Sequence, residues 1–257
     1  MNDIDPLILL TNDDGIHAEG LRYLRIVSER LGRVSIVAPE AEQSAVGHSI
    51  TLYDPIRAHE ITRDGDFYGY GISGTPADSV KLAMNSLLTS PPDLVISGIN
   101  PGANVGINIL YSGTVSAATE AAILGVPSMA VSLDKTKEPP FEWALPHIEI
   151  LARWILNNGL PSGLALNVNI PALPPDKVRG FKLTRQSLSK FNESVEQRED
   201  PRGNRYYWLA AQALEDQTDE GIDITALKRG YVSITPLYYD LTAHSYTEEL
   251  ACALTKL

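Results

Sequence analysis

The chain has 257 residues, 44% of them hydrophobic, and a formal net charge of -11. That apolar content suffices for a sizeable core, as one large α/β domain or a domain with a smaller appendage, while the acidic balance excludes the broad basic footprint of a duplex nucleic-acid binder. A single cysteine, Cys252, rules out an internal disulfide framework and points to a reducing compartment, and no run approaches the roughly 18 apolar residues of a membrane helix.

The opening MNDIDPLILL sets acids before a short apolar run, unlike the basic segment and long apolar stretch of a secretory signal. The expectation is a cytoplasmic protein with no membrane association. LILLT (7–11) reads as a strand, followed by a helix over 19–32, where Leu21, Leu24, Val27 and Leu31 fall at helical spacing, and by the strand VSIVAP (34–39). Both strands are almost continuously apolar, as in a buried parallel sheet. Helical patterns at 77–88 and 114–125 lead into strands at 93–98 and 127–133. A third, over 141–159 with Pro146 at a start or kink, leads into LALNVNI (164–170). This alternation predicts a doubly wound, mostly parallel, Rossmann-like sheet in an α/β core over residues 1–173. Beyond Leu173 the character changes. A hairpin-like excursion is expected over 178–211, a short helix and return strand over 223–237, and a terminal helix over 246–257. Residues 174–257 thus form a C-terminal extension, whose strand near 230–235 is a candidate to complete the core sheet.

In an open parallel sheet, ligands bind outside the carboxyl ends of the strands. Three such ends are rich in small and polar residues: Asn12-Asp13-Asp14-Gly15, the stretch APEAEQSAVGHS around Ser44, and GINPGANVGINILYSGTV after the strand at 93–98. Adjacent carboxylates repel, and a divalent cation between Asp13 and Asp14 removes that repulsion; hard oxygen ligands suit Mg²⁺, Mn²⁺ or Ca²⁺. Taken alone, the motif favours a plainer role, an aspartate capping the next helix; with three loops converging, the cation reading is preferred. The loop 97–112 carries Gly98, Gly102, Gly106, Asn100, Asn104 and Asn108, and YSGTV then opens a helix with Ser112, Gly113 and Thr114 at its N-terminus. Free N–H groups there make a phosphate seat. A serine cap would explain SGT but not so long and glycine-rich a loop. GTPADS reads as a helix start with Thr75 as cap and Pro76 in the first position. His17 and His48 lie near the proposed site. His59, read in a strand, and His147, in a helical pattern, are expected to be structural, Asp240 and His244 to pair locally, and Cys252 to be a core residue.

Together, ILLTNDDGIHAEGL, VAPEAEQSAVGHSIT, GTPADSV, VISGINPGANVG, YSGTVSAATEAAILGVPSMAVS and GYVSITPL resemble the SurE (survival protein E) family of nucleotidases. The resemblance runs in order from residue 8 to the DLTAHS tail and is weakest over 186–222. It implies a metal-dependent phosphatase acting on nucleoside 5′- and 3′-monophosphates, with a polyphosphate-trimming side activity in some members. It places one divalent metal, Mn²⁺ or Mg²⁺, on Asp13, Asp14, Ser44 and Asn100. Phosphate contacts fall to Asn104, Ser112, Gly113 and Thr114, with Asn12 close by, and catalysis to Asp13, Asp14, Asn104, Ser112 and Thr114. It also implies a homodimer or homotetramer with exchanged C-terminal elements. Asn108 and Ala121 depart from the common family residues without touching these positions. Two other readings compete: a catalytically silent nucleotide- or metal-binding protein, and a receiver-like signalling module. The second lacks its phosphoacceptor, because the strand at 93–98 ends in Ser97-Gly98.

Overall fold

The computed structural model describes residues 5–134, 138, 140–188, 193–211 and 218–255. Residues 189–192 of the expected excursion and the last two of the expected terminal helix lie outside the described residues.

The first strand, β1 (Leu7–Thr11), is buried along its whole length. Its Ile8, Leu9 and Leu10 have no exposed surface, and each contributes about 1.5–3 kcal/mol relative to an exposed side chain. Helix α1 (Glu19–Ser28) follows, turning Leu21, Leu24 and Val27 inward, and leads to β2 (Arg33–Pro39). A hairpin, β3 (Ala58–Arg63) and β4 (Asp66–Ile72), comes next. Then come α2 (Pro76–Leu82), β5 (Leu94–Pro101), α3 (Gly113–Ile123), β6 (Ser128–Leu133), α4 (Leu145–Asn158) and β7 (Leu164–Ile170). The C-terminal part supplies β8 (Phe181–Leu183), β9 (Glu193–Glu199), β10 (Arg205–Ala211), α5 (Asp223–Lys228), β11 (Val232–Tyr238) and α6 (His244–Leu254).

Among the described residues, nine strands form one sheet in the order β3-β4-β2-β1-β5-β6-β7-β11-β8, and β9 and β10 pair as a separate ribbon. The central strands are parallel. Strand β11 runs antiparallel to β7 and parallel to β8, so elements beyond residue 173 belong to the sheet. Helices α1 and α4 cover one face through a cluster that includes Ile8, Leu10, Leu24, Ile96 and Ile148. Helices α2 and α3 cover the other through Leu9, Val80, Val95 and Ala117. Helix α3 buries Ala117, Ala118, Ala121 and Ala122; with side chains this small, it can lie close to the sheet. The doubly wound α/β class expected from the strand–helix alternation is the observed one.

Several details differ from the sequence expectation. The strand expected at His59 is β3, exposed at nearly every position; His59 itself, expected to be structural, is exposed and meets Glu40 Oε1 at 2.5 Å, and the partner strand β4, which carries Gly69 and Gly71, is not announced by the sequence. The helix expected over 77–88 is an α-helix only to Leu82 and continues as a wider π turn over Ala83–Leu87. The loop expected over 97–112 begins as strand, since β5 runs to Pro101, and it contains a 3-10 turn over Gly106–Leu110. Cys252, expected in the core, is exposed on α6. His147 is buried on α4, where burial holds its pKa below the usual imidazole value. Asp240 and His244 do pair, at 2.6 Å. No helix among the described residues is long and apolar enough to cross a membrane.

Candidate active site

The connection from β1 leads to β2 on one side of it, and β5 lies on the other. The winding therefore reverses between β1 and β5, and a crevice opens outside their carboxyl ends. Thr11 and Ser97 are register partners at that edge. Asn12, Asp13 and Asp14 follow Thr11, and Asn100 follows Ser97, so the topology brings both segments to one place.

The turn after β1 is built by its own residues. The Asn12 side-chain amide donates to Gly15 O at 2.9 Å, and Gly15 takes a positive φ of 96°. Helix α1 begins after Ala18, which makes no side-chain cap, so neither aspartate serves as its cap. Asp13 is buried and Asp14 half-buried. The Thr114 hydroxyl donates to Asp13 Oδ1 at 2.5 Å. Gly113 packs so tightly that an added Cβ would lie 2.7 Å from Asp13 Cβ. Helix α3 therefore aims its N-terminus at Asp13. Ser112 is its N-cap, accepting from Val115 N at 3.1 Å. Thr75 and Asp78 form the capping box of α2, with Pro76 in the first turn as the motif predicts.

The loop after β2 closes the second side. Gln43 N donates to Asp13 O at 2.7 Å, and Gly47 N donates to Tyr111 O at 3.0 Å. Ser44 lies between these anchors, exposed, with its hydroxyl on Glu42 Oε1 at 2.5 Å. His48 turns to the side of α3. Its Nε2 meets Glu120 Oε2 at 2.8 Å, and the same buried carboxylate meets Lys81 Nζ at 2.5 Å. Burial pushes the Glu120 carboxyl up, but His48 and Lys81 outweigh it and leave it below the usual range. His48 thus braces the loop against α3. His17 is exposed.

Asn100 on the third segment ties its amide nitrogen to Gly102 O at 2.6 Å, leaving its carbonyl oxygen unused by that bond. Asn104 is buried and held by β6 and β7: its N–H donates to Asn169 Oδ1, its Nδ2 to Ser132 Oγ, and its carbonyl accepts from Asn167 and Asn169. Among the described residues, no hydrogen bond joins Asn100 or Asn104 to the aspartates.

Among the described residues, neither Asp13 nor Asp14 has a lysine, arginine or histidine at ion-pair distance. Burial raises the Asp13 carboxyl, opposed by hydrogen bonds from Thr114. Asp14 is pushed from 3.8 to about 7 by burial, then by the charges of Asp13 and Glu42. Asn12 Oδ1 is buried without a partner. Two carboxylates, a carboxamide oxygen and a hydroxyl are hard donors, and the charge they carry asks for a divalent cation. The donor set fits one.

Sequence reasoning missed Ser132, Asn167, Asn169 and Asp223. The signal lay in LALNVNI, whose alternation sets Ala165, Asn167 and Asn169 on one face of a buried strand. Two carboxamides there require partners, and the partner is Asn104.

The chain matches the family model "Survival protein SurE" over residues 8–193. It is 50% identical over 245 residues to the 5′-nucleotidase SurE of Syntrophobacter fumaroxidans, covering 95% of this chain and 97% of that protein. With the 5′-nucleotidase SurE of Moorella thermoacetica it shares 48% over 252 residues, covering 98% and 97%. The crystal structure of the SurE protein from Aquifex aeolicus superposes with a TM-score of 0.85 at 42% identity, covering 95% of this chain and 98% of that one. The chain belongs to the SurE family.

Proposed function

We propose that this chain is a 5′-nucleotidase, a phosphoric monoester hydrolase that depends on one divalent cation and releases phosphate from nucleoside monophosphates. The observation that carries the reading is the pair Asp13 and Asp14, set, among the described residues, without a cationic partner at the reversal point of the sheet and faced by the N-terminus of α3. The named activity of the relatives supports it. Asp13, Asp14, Ser44 and Asn100 would hold Mn²⁺ or Mg²⁺. When bound, the cation neutralises the carboxylates and polarises a phosphate oxygen.

The remaining steps fall to the chain's own groups. The N–H groups at Gly113 and Thr114, with Ser112 and Asn104, stabilise negative charge on the phosphoryl group. Asn12 holds the turn that presents the aspartates, and an aspartate carboxylate orients the attacking water. Hydrolysis of 3′-monophosphates and of polyphosphate ends belongs to the same proposal, as does a cytoplasmic setting. So does self-association as dimer or tetramer through residues 174–257, taken as an extension of the 1–173 core. The test is phosphate release from a panel of 5′- and 3′-monophosphates and polyphosphate, with Mn²⁺, with Mg²⁺ and with chelator. Turnover with metal that chelator abolishes is expected. No release from any monophosphate with either metal would refute the reading.

A further inference from the structure

Asn104 is gripped from three sides by buried polar groups. Asn169 pairs with it as one peptide pairs with another: Asn169 Oδ1 accepts from Asn104 N at 2.8 Å, and Asn169 Nδ2 donates to Asn104 O at 3.1 Å. Asn167 Nδ2 donates to the same carbonyl at 2.8 Å. The Asn104 side chain donates through Nδ2 to Ser132 Oγ at 2.9 Å. Ser132, Asn167 and Asn169 have no exposed surface. Ser132 and Asn169 are register partners on β6 and β7, so the grip comes from the sheet itself. Two residues further on, Gly106 is held in the same manner. Its N–H donates to buried Asp223 Oδ2 at 2.7 Å, and its carbonyl accepts from Gln186 at 2.9 Å.

This arrangement is specific in a way that packing is not. A loop resting on an apolar floor can slide by tenths of an ångström at little cost. A loop whose buried N–H has one permitted partner and whose carbonyl is held by two carboxamides cannot, because an unmade bond there leaves a buried polar group unsatisfied. Only a carboxamide can serve both groups of Asn104 at once, since it offers an acceptor and a donor on one rigid plane. The Ser132 bond fixes one amide hydrogen. Among the described residues the second amide hydrogen and Oδ1 take no partner, and they are left for a ligand.

We propose that Ser132 and Asn169, assisted by Asn167, are positioning residues for phosphoryl transfer: they fix the backbone and carboxamide of Asn104 in the orientation that meets the phosphate. This inference rests on the phosphatase reading above. None of the three is placed in contact with substrate, so their effect must pass through Asn104.

The test is a double-mutant cycle in the full-length, Mn²⁺-loaded protein, with a nucleoside 5′-monophosphate as substrate. Ser132→Ala removes only the oxygen that accepts from the Asn104 amide. It is expected to lower kcat about tenfold and to weaken inhibition by inorganic phosphate, with half-saturating Mn²⁺ changed less than about twofold. In an Asn104→Ala background the same substitution should cost nothing further, because the group it positions is gone. Asn169→Leu should lower kcat by about 10- to 100-fold with Mn²⁺ binding retained. An equal loss from Ser132→Ala in both backgrounds, or an unchanged kcat in Ser132→Ala, would overturn the inference while leaving the phosphatase reading intact. An Asn104→Ala protein at the wild-type rate would instead remove the phosphate role of Asn104, and the fault would lie in the reading beneath.

Discussion

At the scale of single residues, the site turns on two carboxyl groups that the fold makes uncomfortable. Asp13 is buried and Asp14 is pushed up to about 7. Asp13→Asn keeps the shape, the Thr114 contact and most of the burial, but removes one of two charges. Metal-dependent turnover should fall by roughly 10²-fold or more with the circular dichroism unchanged; full activity at saturating Mn²⁺ would count against the assignment. Asp14 gives a pH prediction whose sign follows from linkage. Its proton is held more tightly in the folded, metal-free chain than at the ordinary value of 3.8. The stabilisation from that proton is complete below the unfolded value and is lost as pH rises through about 7. A cation must displace the same proton, so its apparent affinity should decline as pH falls below that point, by up to about tenfold per pH unit. Mn²⁺ titrations followed by thermal unfolding should therefore show a larger melting-temperature gain near about pH 8 than near about pH 6. Asp14→Asn should flatten that dependence, and an unaltered pH profile in the variant would exclude Asp14 as the group involved.

At the scale of elements, the site depends on how closely α3 approaches the end of β1. Gly113 permits the approach, since a Cβ there would lie 2.7 Å from Asp13 Cβ and 3.1 Å from Pro76 Cγ. Gly113→Ala must push the helix N-terminus away from Asp13 or displace α2. A drop in kcat of about tenfold or more is expected, with a smaller change in overall stability; steady-state kinetics beside thermal unfolding would show whether activity suffers first. The sequence made much of this frame readable. The strands β1, β2, β5, β6 and β7 are apolar runs because both faces are covered, and Ser112-Gly113-Thr114 announces a helix start that can receive phosphate. What stayed hidden depends on tertiary partners. Asn167 and Asn169 look like ordinary strand residues until the loop carrying Asn104 lies over them. Asp223 sits at the start of α5, yet its carboxylate accepts from Gly106, 117 positions earlier in the chain. Strand β4, DFYGYGI, interrupts its aromatic residues with Gly69 and Gly71, so its local sequence reads as readily as a loop.

At the scale of the whole molecule, the C-terminal part leaves apolar surface that one chain does not cover. Helix α6 has no buried residue, though Tyr246, Leu250 and Leu254 lie on it. The ribbon of β9 and β10 exposes Tyr207, Trp208 and Leu209 and, among the described residues, pairs with no strand of the main sheet. A two-stranded ribbon is marginal alone in water, and exposed aromatic and aliphatic side chains on this scale are typical of surfaces that another chain covers. The acidic net charge of -11 disfavours random clustering, so the cover should be a specific second copy with closed symmetry. Sedimentation at micromolar concentration should give a dimer or tetramer. Leu250→Glu with Leu254→Glu, which sets two charges on the exposed face of α6, should shift the population toward smaller species. Because Asp13, Asp14, Ser44 and Asn100 all lie on elements of the central sheet or the loops directly after them, the dissociated protein should retain its Mn²⁺-dependent thermal stabilisation. A wild-type chain that sediments as a monomer would show that this surface has another use, and a Leu250→Glu, Leu254→Glu protein that stays fully associated would move the contact to the ribbon.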